Sequence, residues 1–242
     1  MEILKDNNLP EWIEPFATFG TNRMVLDNEI TKDNSLWAYL ALRCPNKYEK
    51  YLVILHPFWI YTDIEEEDSI KVNYSDLFNR FDKVFDLKNA IKTKSEIFNI
   101  KNWQTKKVKP SNYFSYPGKG EIEQEELSFI SQCIYELYGN IDTDFFYVCM
   151  KSKNWDDGED SVIRGKILDS IRVRDTISKI EGNPSAIYPT DKSDWCIISD
   201  YDLPFTFIGG KSDLIDKILT EKDIVFDFYE LKQKFTAQKA SR

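Results

Sequence analysis

Three carboxylate clusters hold most of the chemical capacity that can be read along this chain. Glu65, Glu66, Glu67 and Asp68 form an unbroken acidic run. Trp155, Asp156 and Asp157 open the segment WDDGED, and Asp200, Tyr201 and Asp202 sit between two apolar stretches. Carboxylate oxygens are hard ligands for Mg²⁺ or Ca²⁺ and equally good contacts for a cationic side chain. The spacing in 155–160 does not match an EF-hand loop. If 195–199 is a strand, Asp200 and Asp202 continue its alternation, so only one of them shares a face with a given neighbour. These ten residues are therefore expected to contact a partner, with no catalytic role, no metal and no cofactor assigned to them. Asp194, Asp200 and Asp202 are also explained by turn chemistry alone.

His56 is the only histidine. It lies in YLVILHPFWIY, where an imidazole inside an apolar strand reads as a satisfied core residue, although its place before a break at Pro57 also suits an acid or base. One histidine rules out a histidine pair or a His-based metal site within one chain. Cys44, Cys133, Cys149 and Cys196 form no CxxC and sit among apolar neighbours, so they read as small buried hydrophobes. The glycine-rich phosphate loops, the GxSxG elbow and the HExxH helix are missing from the sequence.

The composition, 42% hydrophobic and 14% aromatic, is too apolar for a disordered chain and points to a core built from large rings. A formal charge of −9 opposes adhesion to nucleic acid or anionic membrane and fits a cationic partner. No run approaches the roughly 18 apolar residues of a membrane helix, and the first residues lack a signal-peptide pattern, so a soluble, cytoplasmic protein is expected.

Residues 194–218 carry the densest set of local signals: strand, tight turn, strand, a Gly209-Gly210 stop, then a helix capped by Ser212 with Leu214, Ile215, Ile218 and Leu219 on one face. Earlier, a short strand is expected near 24–26, and 36–42 fits either period. The run 51–61 reads as a buried strand broken at Pro57, and Ser75 as the cap of a helix carrying Leu77, Phe78, Phe81, Val84 and Phe85. The clearest helix covers 121–138, with Leu127, Ile130, Ile134 and Leu137 inward and Gly139 as its stop. A strand follows at 145–150. Ile163, Ile167 and Ile171 fit a helix despite Gly165, and a last strand is expected at 223–229 before a polar tail. Arg164, Arg172 and Arg174 are expected to pair with surface carboxylates.

These elements predict an α+β or α/β fold, with a mixed or antiparallel sheet and packed helices, in one domain with two lobes. The lobes would be 1–102 and 121–242, joined by a Lys/Pro/Gly-rich connection at 103–120. Three functional readings follow. The preferred one is a non-catalytic protein-interaction module, of the inhibitor or immunity type, which neutralises a basic partner through an acidic, aromatic-rich surface. The second is a divalent-metal hydrolase or transferase using Asp156, Asp157, Asp200 or Asp202. The third is a single-stranded nucleic-acid binder using Trp103, Lys106, Lys107 and Lys109 within the lysine-rich 88–119 stretch. The acidic sign of the chain and the lack of arginine in that stretch argue against the third.

Overall fold

The computed structural model describes residues 1–4, 48–61, 69–76, 113–115, 122–147, 161–178, 184–191, 194–199, 205–221 and 227–230. In chain order the strands are β1 (Glu2–Leu4), β2 (Lys50–Leu55), β3 (Phe58–Tyr61), β4 (Ser69–Val72), β5 (Tyr113–Ser115), β6 (Asp142–Tyr147), β7 (Ser161–Lys166), β8 (Pro184–Pro189), β9 (Trp195–Ile198), β10 (Phe205–Gly210) and β11 (Asp227–Glu230). The helices are α1 (Gln124–Tyr138), α2 (Ser170–Ser178) and α3 (Ser212–Thr220), and a 3₁₀ turn at Ile167–Asp169 leads into α2. Eight strands form one sheet in the order β1-β7-β6-β8-β9-β10-β2-β11, and three form a second, β4-β3-β5. Every strand pair is antiparallel. The fold is thus α+β, with two sheet-centred lobes. The larger sheet draws β1 and β2 from before residues 103–120 and the rest from after it. Within 103–120, Tyr113–Ser115 is a strand paired with β3.

The central strands β2, β9 and β10 of the larger sheet are largely apolar along their length, because both of their faces are buried. Leu52, Ile54, Phe145, Ile163, Ile187, Trp195, Ile197 and Ile208 face the helices, where Leu127, Ile130, Ile134, Val173, Leu214, Ile215 and Ile218 complete one core. On the other face Tyr51, Val53, Phe146, Tyr188, Cys196, Ile198 and Phe207 are equally buried. Tyr51 packs on Phe207 with ring centroids 5.5 Å apart, and Phe146 meets Tyr188 edge-on at 5.4 Å.

The break at Pro57 occurs as expected, and it has an architectural result. β2 belongs to the large sheet and β3 to the small one, so His56 and Pro57 are the joint between the sheets. A proline has no N–H for either ladder, which fits a point where pairing must stop. The apolar face of α3 also holds, with Leu214, Ile215 and Ile218 buried.

Several expectations are corrected. Gly209 and Gly210 are the last two residues of β10, where the strand was expected to stop, but both are still paired, opposite Cys196 and Trp195, and the Tyr48 ring packs onto the Gly209 backbone. Ser212 is the first residue of α3, not its cap. Its N–H is taken at 2.9 Å by Glu49 Oε2, from just before β2. Similarly, Asn73 and not Ser75 opens the helical turn at 74–76: Asn73 Oδ1 accepts the Asp76 N–H at 2.7 Å, while the Ser75 hydroxyl donates to Asp227 Oδ1 at 2.6 Å. Ile163 belongs to strand β7, and helix α2 starts only at Ser170. Strand pairing with β6 and β1 outweighs the helical spacing of Ile163, Ile167 and Ile171. The strand expected at 145–150 begins earlier, at Asp142, and the last strand is Asp227–Glu230. Residues 24–26 and 36–42 lie outside the described residues, as do Leu77, Phe78, Phe81, Val84 and Phe85.

Adding a Cβ at Gly209 would overlap Tyr48 Cδ2 outright and stand 2.9 Å from its Cε2 and 3.0 Å from Tyr51 Cε1. Gly209→Ala is therefore expected to destabilise the fold by about 1–3 kcal/mol, through overpacking of two rings held in the sheet. A shifted denaturant midpoint at unchanged slope would confirm this, and unchanged stability would show that the rings can move aside.

Candidate functional site

Helix α1 forms from a sequence well suited to it. Glu125 and Glu126 lie in its first turn, and Gly139 ends it with φ of 79°, a backbone that a side chain would strain. Its inner face buries Leu127, Ile130, Cys133 and Ile134 against the large sheet. Leu137, expected on that face, is instead exposed at 39%, and Tyr138 is the residue of the last turn that packs against the core. The inner face also buries a charge-bearing residue. Glu126 is 0% exposed and heads the same row as Ile130 and Cys133, at spacings of four and seven residues. That row was the available signal for it, and it is legible only once the apolar stripe is continued backwards into an acidic turn.

Two further polar groups meet Glu126. His56, 1% exposed at the joint between the sheets, holds its Nε2 2.9 Å from Thr206 Oγ1 on β10 and 3.9 Å from Glu126 Oε2. The register accounts for this meeting. Thr206 pairs with Ile54, two residues before His56, so both point to the face on which α1 lies. A nucleophile–histidine–acid relay needs the hydroxyl and the carboxylate on opposite ring nitrogens. Here both address Nε2, so the geometry is not that of a relay. The imidazole is a satisfied core group, in agreement with the first of its two sequence readings.

Glu126 is less well provided for. Among the described residues no donor meets either of its oxygens with hydrogen-bonding geometry. Burial pushes its carboxyl up to about 8, only partly offset by the nearby Thr206 hydroxyl and Glu123 backbone and, more remotely, by Lys71. At neutral pH the group is therefore mostly a neutral acid, the form that an apolar site tolerates.

The outer side of the same turn is open. Lys71, Glu123, Gln124, Glu125, Ser128, Phe129 and Gln132 line a cleft of about 830 Å³. Lys71 Nζ lies 3.3 Å from Glu123 Oε2 and 3.1 Å from Glu125 Oε2, and 5.1 Å from the centroid of the Trp59 ring. Trp59 and Lys71 are direct cross-strand partners on β3 and β4, which places ammonium over indole. Partial burial pulls Lys71 down, but the two carboxylates outweigh it and hold the ammonium above its ordinary value. Phe129 also packs edge-on against Phe228 of β11, 6.2 Å between centroids.

The ten residues expected from sequence to contact a partner, Glu65, Glu66, Glu67, Asp68, Trp155, Asp156, Asp157, Asp200, Tyr201 and Asp202, all lie outside the described residues, as do Trp103, Lys106, Lys107 and Lys109. The arginines are placed. Arg164 grips Asp144 with two bonds of 2.7 and 2.9 Å, Arg172 pairs with Asp169 at 3.1 Å, and Arg174 bonds the Ile122 carbonyl at 3.2 Å. Asp194 pairs with Lys211 at 2.9 Å. Cys133 and Cys196 are buried as expected, and Cys44 and Cys149 lie outside the described residues. Among the described residues no three His, Cys, Asp or Glu side chains converge as a metal site, and no helix is long and apolar enough to cross a membrane.

Comparison with protein-family models, with curated proteins and with solved structures gives no match.

The buried Glu126 fixes a pH dependence. Its folded-state value lies near 8 and its ordinary value is 4.5, so between those limits the folded chain keeps a proton that the unfolded chain has released. Rising pH then favours unfolding, by up to about 1.4 kcal/mol per pH unit, with the full contribution present only below the ordinary value. Glu49 and Glu136 are shifted the other way, held low by the Ser212 backbone N–H and by Lys217 respectively, and their contribution is lost as pH falls through the acid range. Denaturant titrations from pH 5 to 8 are expected to show falling stability that Glu126→Gln flattens. Equal slopes for both chains would contradict the assignment.

Proposed function

We propose that this is a non-catalytic interaction protein that takes a basic partner protein at the α1 cleft, in the manner of an inhibitor or immunity protein that covers a cationic surface. The observation that carries this reading is the Lys71 arrangement: the cleft already holds an ammonium between Glu123 and Glu125 and over the Trp59 ring. Its lining supplies what a lysine or arginine of a partner would need, carboxylates for the charge and the Phe129 ring for the apolar stem. The formal charge of −9 adds long-range attraction for a cationic partner and speeds encounter. Phe129 brings apolar surface to the same cleft, and buried rings of this kind supply residence time that surface charge alone does not. Lys71 itself would be displaced or shared when the partner's cation arrives.

The test is amide-resolved NMR titration of the protein with a short lysine- and arginine-rich peptide containing one aromatic residue. Shifts are expected to concentrate on Lys71, the Trp59 indole and residues 123–132, with affinity falling as salt rises. Glu125 is well exposed, so Glu125→Lys should leave the fold intact and weaken the peptide by about tenfold or more. Shifts scattered over the whole acidic surface, or binding indifferent to Glu125→Lys, would overturn the reading.

A further inference from the structure

The same turn of α1 carries the cleft on its outside and the least satisfied group of the core on its inside. Glu123 and Glu125 rim the cleft, and Phe129 lines it. Glu126, between them in sequence, is fully buried with neither oxygen hydrogen-bonded among the described residues. Among the described residues the groups that act on it are His56 from the joint after β2, Thr206 from β10, Lys71 from β4, and Glu123 from the start of α1 itself. The Thr206 hydroxyl and the Glu123 backbone offset the burial of a charge there only in part, Lys71 is already engaged by Glu123 and Glu125, and His56 Nε2 stands 3.9 Å from Glu126 Oε2, beyond hydrogen-bonding distance.

We infer that Glu126 is a proton-operated latch for the first turn of α1: the turn stays docked against His56 and Thr206 while the carboxyl carries its proton, and opens more often once the open form can release that proton to water. The Glu123 and Glu125 rim of the cleft is then in place in the docked form and lost in the open one. The latch regulates the binding cleft and rests on that reading for its purpose, but its physical operation requires no partner.

The energetics follow from the two environments of one carboxyl. In the docked form a buried, unpaired carboxylate is costly, so the group stays neutral to well above its usual range. In the open form it meets water and ionises at its ordinary value. Across the pH interval between these two values, each unit of rising pH therefore increases the opening equilibrium by about tenfold, and above the upper value the dependence levels off. The rest of α1 has no such drive to open, because Ile130, Cys133 and Ile134 anchor it to the sheet by apolar contact.

The experiment is hydrogen exchange by NMR on the free full chain, from pH 5 to 9, expressed as protection factors so that the intrinsic base catalysis of exchange is removed. The amides to follow are Leu127, whose N–H bonds Glu123 O at 2.9 Å, and those of residues 128–130. Their protection should fall by about tenfold per pH unit up to about pH 8 and then level, and at every pH should stay well below that of amides 133–136, whose protection follows the global stability. In Glu126→Gln, which keeps the shape and removes the titration, the fall should vanish. Wild-type protection that does not vary with pH would overturn the latch on its own, even if the variant failed to fold. A pH-dependent fall that persists in the variant would overturn it as well. Peptide binding plays no part in either outcome, so a failed cleft reading would leave this result standing, and the converse holds too.

Discussion

The pairing of β2 with β10 is the constraint from which the rest follows. Residues 50–55 meet 205–210 in one unbroken antiparallel register, Lys50 against Gly210 and Leu55 against Phe205. Closing a loop of this size costs entropy before any contact is made, and only the burial of two apolar strands on both faces offsets it. Once it forms, the positions of the other polar groups are largely fixed. Thr206 must lie beside Ile54, His56 must emerge on the helical face, and Pro57 must send the chain into the second sheet. Slipping the register by one residue would place Thr206 on the aromatic face with Tyr51 and Phe207 and separate it from His56.

The helical layer then meets a polar feature it did not create. The first turn of α1 lies across the joint between the sheets, tied to the small sheet by the Lys71 bridge and to the large one by apolar burial. A leucine in place of Glu126 would satisfy that position by every packing argument, since a buried carboxyl that meets no donor in good geometry among the described residues lowers stability. Its presence inside a core that is otherwise well ordered by aromatic and aliphatic contacts is the kind of local conflict expected where a chain trades stability for control. The outer side of the turn supplies a use for that control, because the cleft and its aromatic and acidic lining depend on the turn being docked.

The sequence revealed the elements best where both period and punctuation agreed. The α1 helix, the break at Pro57, the buried run of β2 and the β9 and β10 strands were all readable, because apolar spacing, proline and glycine each report backbone geometry directly. Where one signal stood alone it misled. Three isoleucines at helical spacing were divided between a strand, a 3₁₀ turn and a helix, since pairing with β6 and β1 was invisible locally. The glycine pair marked the end of β10 but not that Gly209 receives the Tyr48 ring, because close approach of a ring from far along the chain leaves no mark in the nearby sequence. The ten residues expected to contact a partner lie outside the described residues, and none of the α1 cleft residues was among them. Carboxylates beside rings were the expected chemistry, but the pair that rims the cleft, Glu123 and Glu125, lay in a turn that looked like ordinary helix-start composition, and Trp59 and Lys71 join them only through cross-strand register.

The account turns on the state of one carboxyl, and that state can be observed directly. With glutamate labelled at the side-chain carbon, the ¹³C signal of Glu126, assigned by its loss in the glutamine variant, would be followed across pH in the free protein. The account predicts a protonated carboxyl through neutral pH with a midpoint near 8. A midpoint close to the ordinary 4.5 would mean that water or a donor reaches Glu126 in solution, and the buried, unpaired acid on which both the pH dependence and the latch rely would not exist.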